Sequence, residues 1–186
     1  MDNMRQSYKN FIENTKDEGG AFVCIDDSNL RELAESSSKR IIRYGLSEAA
    51  DIRAENIELL GLKGSRFDFV YKNKVLGKVN LSIIGTHNIL NALASIGVSM
   101  DLGVDFSYIK EVIGDFKGAD RRFKITQLDS DILIIDDYAH HPTEIKATLE
   151  IMKHSDRRVV VVFQPHRYSR TKYLKEEFGS AFHTAD

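Results

Sequence analysis

Four consecutive apolar residues, Ile132–Ile135, run straight into Asp136 and Asp137, and the chain continues Tyr138-Ala139-His140-His141-Pro142-Thr143-Glu144. An apolar run of this kind predicts a buried parallel strand. Pro142 predicts the first turn of a helix, where its fixed φ is suitable and its missing N–H costs nothing. Glu144 suits the positive end of that helix's dipole. The polar cluster therefore falls where a strand hands over to a helix, and open α/β sheets bind ligands at the carboxyl ends of their strands. The layout recurs at Val159–Phe163, which runs into Gln164-Pro165-His166-Arg167-Tyr168-Ser169-Arg170-Thr171 and a closing helix over Ser169–His183. The only two prolines, Pro142 and Pro165, each stand just past one of these strands. With the helix Ile145–Lys153 between them, a right-handed crossover puts both loops on one sheet edge. One crevice would then hold two aspartates, two tyrosines, three histidines and two arginines.

Upstream, residues 2–14 carry Met4, Tyr8, Phe11 and Ile12 at helical spacing, and Asp17-Glu18-Gly19-Gly20 ends that helix. Ala21–Ile25 predicts a strand, Asp27 or Ser28 a cap, Asn29–Ser37 a helix and Lys39–Tyr44 a further strand, which together make a βαβ unit. From Ile52 the pattern alternates: Ile52–Leu60, Ser65–Tyr71 and Val75–Ile84 predict an antiparallel meander with turns at Gly61–Gly64 and Lys72–Lys74. Gly85-Thr86-His87-Asn88-Ile89-Leu90-Asn91 opens an apolar helix that stops at Gly103. His87 and Asn91 share a face of it. A short helix from Asp105 to Phe116 follows, then a linker, Lys117–Asp120, with a domain boundary near Gly118.

Bulk properties narrow the function classes. Of the 186 residues 42% are apolar and 29% charged, with net charge −2, so bulk electrostatics do not argue for nucleic-acid binding. No apolar run approaches a membrane span and no signal peptide opens the chain, which favours the cytoplasm. A single cysteine, Cys24, inside Ala21–Ile25, predicts a core thiol and excludes a disulfide framework. Neither Gly61–Gly64 nor Gly77-Lys78 has the spacing of a phosphate loop. The 136–141 loop reads either as a capped polar turn or as a ligand-contact loop; adjacent histidines rarely point the same way, so no metal site is expected there. His166, Arg167 and Arg170 read either as a solvated basic turn or as guanidinium forks for a carboxylate or phosphate. Asn91 is either a helix-surface amide or a reader of an adenine edge, and Arg121-Arg122 a surface pair or a bridge to phosphate. Taken alone, these residues point to a small-molecule site at an α/β sheet edge.

Four stretches together resemble the Mur ligases: Gly85-x-His87-Asn88-x-x-Asn91-Ala92, Arg121-Arg122-Phe123, Asp136–Glu144 and Phe163–Thr171. The likeness runs over nearly the whole chain. It implies an α/β fold, with residues 1–118 forming the end of a central ATP-binding domain (a parallel sheet plus a small antiparallel meander) and residues 119–186 the start of a Rossmann-like, amino-acid-binding C-terminal domain. It implies a cytoplasmic bacterial ligase of peptidoglycan synthesis, acting on ATP, L-alanine and UDP-N-acetylmuramate through an acyl phosphate. His87, Asn88 and Asn91 would line the adenine pocket, Arg122 would reach the nucleotide, and Asp137 would accept from ribose hydroxyls. His140, His166, Arg167 and Arg170 would act at the reacting groups. Tyr138 and Thr143, with His166, Arg167 and Arg170, would hold the amino acid or the carboxylate. The family's phosphate loop and its Mg2+ ligands are absent from these motifs and expected upstream, so the chain resembles an internal fragment, inactive by itself and prone to self-association. Three other functions stay open: a ligase that recycles a whole murein tripeptide, a non-catalytic nucleotide-binding module and a histidine-based metal protein.

Overall fold

The computed structural model describes residues 2–128, 131–153 and 157–186, which form two compact units. The first comprises residues up to Glu58 with Ser65–Leu81 and Thr86–Asp115; the second comprises Leu59–Gly64, Ser82–Gly85 and Phe116–Asp186.

In the first unit helix α1 (Asp2–Glu13) precedes strand β1 (Ala21–Cys24), helix α2 (Ser28–Ser36) and strand β2 (Ile41–Gly45). Asp27 caps α2, its carboxylate accepting from the Asn29 and Leu30 amides. β1 and β2 are parallel, with Ala21 opposite Ile41, as the strand–helix–strand rhythm requires. Strands β3 (Ile52–Leu59), β4 (Ser65–Tyr71) and β5 (Lys74–Leu81) complete one five-stranded sheet in sequential order. β4 and β5 are antiparallel, as expected of the meander, and β3 runs parallel to β2, with Tyr44 opposite Ile52. β3 is buried at Ile52, Arg53 and Ala54 and exposed from Asn56 onward, so its burial changes along the strand rather than between its faces.

Helix α3 (Thr86–Asp101) buries Ile89, Ala92, Leu93, Ile96 and Gly97. Gly97 permits a close approach: a Cβ there would lie 2.5 Å from Ile52 Cδ1 and 3.0 Å from Phe22 Cε1. Helix α4 (Phe106–Asp115) lays Phe106 on Phe69, ring centroids 5.1 Å apart. Phe67 and Phe69 on β4 are fully buried. Cys24 is half-buried rather than a core residue, and burial raises its thiol pKa.

Arg43 forks onto Asp51, Nε at 3.1 Å and Nη2 at 2.9 Å, and its own amide donates to the same carboxylate. The Arg43 hydrogen bond holds Asp51 below its ordinary value of 3.8. The stabilisation is thus present above pH 3.8 and lost as the pH falls through the lower folded value. Asp51→Asn is expected to cost on the order of 1 kcal/mol at pH 7, a value kept small by solvent screening. Urea midpoints of the two proteins should converge below pH 3.8. A gap that stays constant down to strongly acidic pH would contradict this role.

In the second unit strands β6 (Lys124–Gln127) and β7 (Leu133–Asp136) pair antiparallel, Lys124 opposite Asp136. Helix α5 (Pro142–Met152) follows, then two short helices, α6 (Tyr168–Tyr173) and α7 (Lys175–Gly179). Three expectations are corrected here. The Ile132–Ile135 run is not a buried parallel strand: Leu133–Asp136 form an antiparallel strand that alternates between half-buried and exposed residues, with Ile134 at 48% exposure, and Ile132, just before it, is 53% exposed. Val159–Phe163 is not a strand: among the described residues it has no ladder partner, and Val162 is 97% exposed. The closing helix is broken at Leu174, whose φ of −110° and ψ of 28° leave the helical region. The unit's core is instead made by Ile145, Leu149 and Ala181, with Phe163, Phe178 and Phe182 packed against them.

Candidate functional site

The loop after β7 is built by local hydrogen bonds. Asp137 Oδ1 accepts from the Ala139 amide at 2.9 Å, and Oδ2 accepts from the Thr148 hydroxyl at 2.8 Å. Glu144 Oε2 accepts from the amides of His140 at 2.9 Å and His141 at 3.1 Å. His141 caps α5, its Nδ1 accepting from the Thr143 amide, so that Glu144 and His141 form a reciprocal capping box behind Pro142. His140 Nδ1 lies 2.8 Å from the Tyr138 carbonyl, an acceptor only, and therefore carries a proton, whereas His141 Nδ1 accepts and does not. Burial raises the pKa of Glu144, but the two amides and the His140 and Arg122 charges outweigh it and leave the carboxyl below its ordinary value.

Around this loop aromatic and cationic groups converge. The Tyr138 and His140 rings meet edge-on with centroids 5.0 Å apart, and the His140 and His166 rings at 6.0 Å. The Arg121 and Arg122 guanidinium carbons stand 5.5 and 5.4 Å from the Tyr138 ring centroid. The two loops after Ile135 and Phe163 therefore do share one place, although the second is not held by a strand. Arg167 is exposed and adopts a φ of 69°, a left-handed conformation rare for a side chain of this size, at the start of α6. Arg170 Nη1 is shielded from solvent and meets no acceptor among the described residues. Backbone strain and an unpaired guanidinium nitrogen are features that gather where a ligand binds.

A cavity of about 420 Å³ opens beside the loop, walled by Leu133, Ile135, Asp137, Thr148, Val161 and Phe163. Residues of both β7 and the 159–163 segment line it. His87, Asn88 and Asn91 belong to the first unit, at the start of α3; His87 and Asn91 are exposed, and Asn91 donates to the Asn88 side chain at 3.2 Å. Two features of the site were not anticipated from sequence: Thr148 as a partner of Asp137, and His141 as a cap. The cap was signalled by the His141-Pro142-Thr143-Glu144 order, since N3 is the glutamate's place in a capping box.

Residues 1–99 match the Mur ligase middle domain and residues 121–186 match the Mur ligase glutamate ligase domain. The chain belongs to the Mur ligase family. Among curated Mur ligases, the UDP-N-acetylmuramate–L-alanine ligase of Geotalea uraniireducens is 44% identical and that of Caldanaerobacter subterraneus 41%, each over 100% of this chain. The chain spans 41% of the length of either relative. The crystal structure of the UDP-N-acetylmuramate–alanine ligase MurC from Thermotoga maritima superposes with a TM-score of 0.76 at 28% identity, over 98% of this chain and 39% of that one. The MurF ligase of the same organism, solved in complex with ADP, shares the fold at 20% identity with a TM-score of 0.75, over 100% of this chain and 43% of that one.

Proposed function

We propose that the full-length gene product joins L-alanine to UDP-N-acetylmuramate at the expense of ATP, in the cytoplasm, as a step of peptidoglycan synthesis. The observation that carries this is the meeting of the two motif loops at His140 and His166, in a chain 44% identical to a named alanine-adding ligase. In the reaction, a muramoyl carboxylate oxygen takes the γ-phosphoryl group and ADP departs. The alanine amine then attacks the acyl carbon, loses a proton, and inorganic phosphate leaves with the transferred oxygen. Such chemistry needs anions gathered and an amine held against an electrophilic carbon. Arg167 and Arg170 supply cationic forks, and Tyr138, His140, Thr143 and His166 form the acceptor end. Asp137 accepts from ribose hydroxyls, Arg122 neutralises phosphate, and His87, Asn88 and Asn91 receive the adenine. Mg2+ would neutralise the phosphates; among the described residues no three His, Cys, Asp or Glu side chains converge to hold it. No helix of the described residues is long and apolar enough to cross a membrane. The exposed Val160, Val162, Ile132 and Ile134 favour self-association of this chain.

The chemistry is tested by isotope transfer. With 18O in the muramoyl carboxylate, one labelled oxygen should appear in each phosphate released. Unlabelled phosphate from a productive ligation would overturn the acyl-phosphate route.

A further inference from the structure

The Asp137 carboxylate is gripped from both sides. Its Oδ1 is taken by the Ala139 amide two residues along, a contact that the loop makes with itself. Its Oδ2 is taken by Thr148, which lies in the second turn of α5 and reaches across to the loop at 2.8 Å. Glu144, four residues before Thr148 and so on the same face of the helix, ties down the other end of the loop through the His140 and His141 amides. One rigid helix therefore sets both the direction of the carboxylate and the height of the histidines. Each carboxylate oxygen keeps a lone pair, directed by these two bonds, for an incoming hydroxyl. Thr148 is half-buried, lines the same cavity as Asp137, and is not among the groups that touch substrate in the proposed reaction.

We infer that Thr148 is a positioning residue for the nucleotide: it fixes the Asp137 carboxylate in the orientation that accepts the ribose hydroxyls. The inference rests on the nucleotide role proposed for Asp137, and the test separates the two. In the full-length gene product, Thr148→Val keeps the shape of the side chain and removes the hydroxyl, while Thr148→Ser keeps the hydroxyl. Thr148→Val is expected to raise the KM for ATP roughly tenfold, as befits loss of a hydrogen bond to a charged group. Its kcat and its KM for alanine should stay within about twofold, and Thr148→Ser should restore the KM for ATP to near wild type. Asp137→Ala is measured alongside. An unchanged KM for ATP in Asp137→Ala overturns the role of Asp137 itself. A raised KM in Asp137→Ala with none in Thr148→Val overturns the positioning role alone. A serine variant as impaired as the valine variant, or a fall in kcat with no change in KM, overturns it as well, because either would mark Thr148 as merely structural.

Discussion

Arg167→Gly in the full-length gene product should lower ligation about 10²- to 10³-fold, the loss seen when one preorganised group facing developing negative charge is removed. It should not lower the melting temperature. Arg167 holds a φ of 69° at the head of α6, where its side chain makes no cap. A non-glycine residue in such a conformation costs on the order of 1–3 kcal/mol. Glycine relieves that strain and gives back up to about 1 kcal/mol through the larger freedom of the unfolded chain. Arg167→Ala should lose activity equally but keep the strain. Steady-state phosphate release with calorimetric melting of the three proteins distinguishes a strained ligand-binding arginine from an arginine that only shapes the turn. A glycine variant that retains activity, or one that melts well below wild type, would contradict the assignment.

Phe67→Ala is the substitution expected to harm folding most. Phe67 lies on β4 with no exposed surface, beside the equally buried Phe69 that stacks on Phe106. Truncating a fully buried phenylalanine costs about 3–5 kcal/mol, part from lost transfer free energy and part from the cavity left behind. For a chain of this size that lowers the melting temperature by roughly 6–20 °C. Val162→Ala is the contrast: Val162 sits in an equally apolar run yet is 97% exposed, and its truncation should stay within about 0.5 kcal/mol of wild type. Equal losses at the two positions would contradict the division between the two units' cores.

That contrast also marks how far the sequence could be read. Features set by neighbours along the chain were legible. Pro142 and Glu144 foretold the start of α5, the Asp27-Ser28 pair a cap for α2 (Asp27 provides it), and Ala21–Tyr44 a parallel βαβ unit. Features set by distant partners were not. Val159–Phe163 has the composition of a central strand, but a strand needs a ladder, and among the described residues this segment has none. At the candidate site, residue types and their grouping into two loops were apparent from motif order, and the rings of His140 and His166 do meet. The contact of Thr148 with Asp137 was not apparent, because a threonine inside a helix carries no sign of what lies across from it.

The most direct test is phosphate release by the full-length gene product given ATP, Mg2+ and UDP-N-acetylmuramate, with L-alanine compared against the murein tripeptide as acceptor. Release is expected with alanine, to depend on all three substrates, and to be at background with the tripeptide. Release with the tripeptide alone would make the protein a recycling ligase, and a folded protein that releases phosphate with neither acceptor would be a nucleotide-binding module instead.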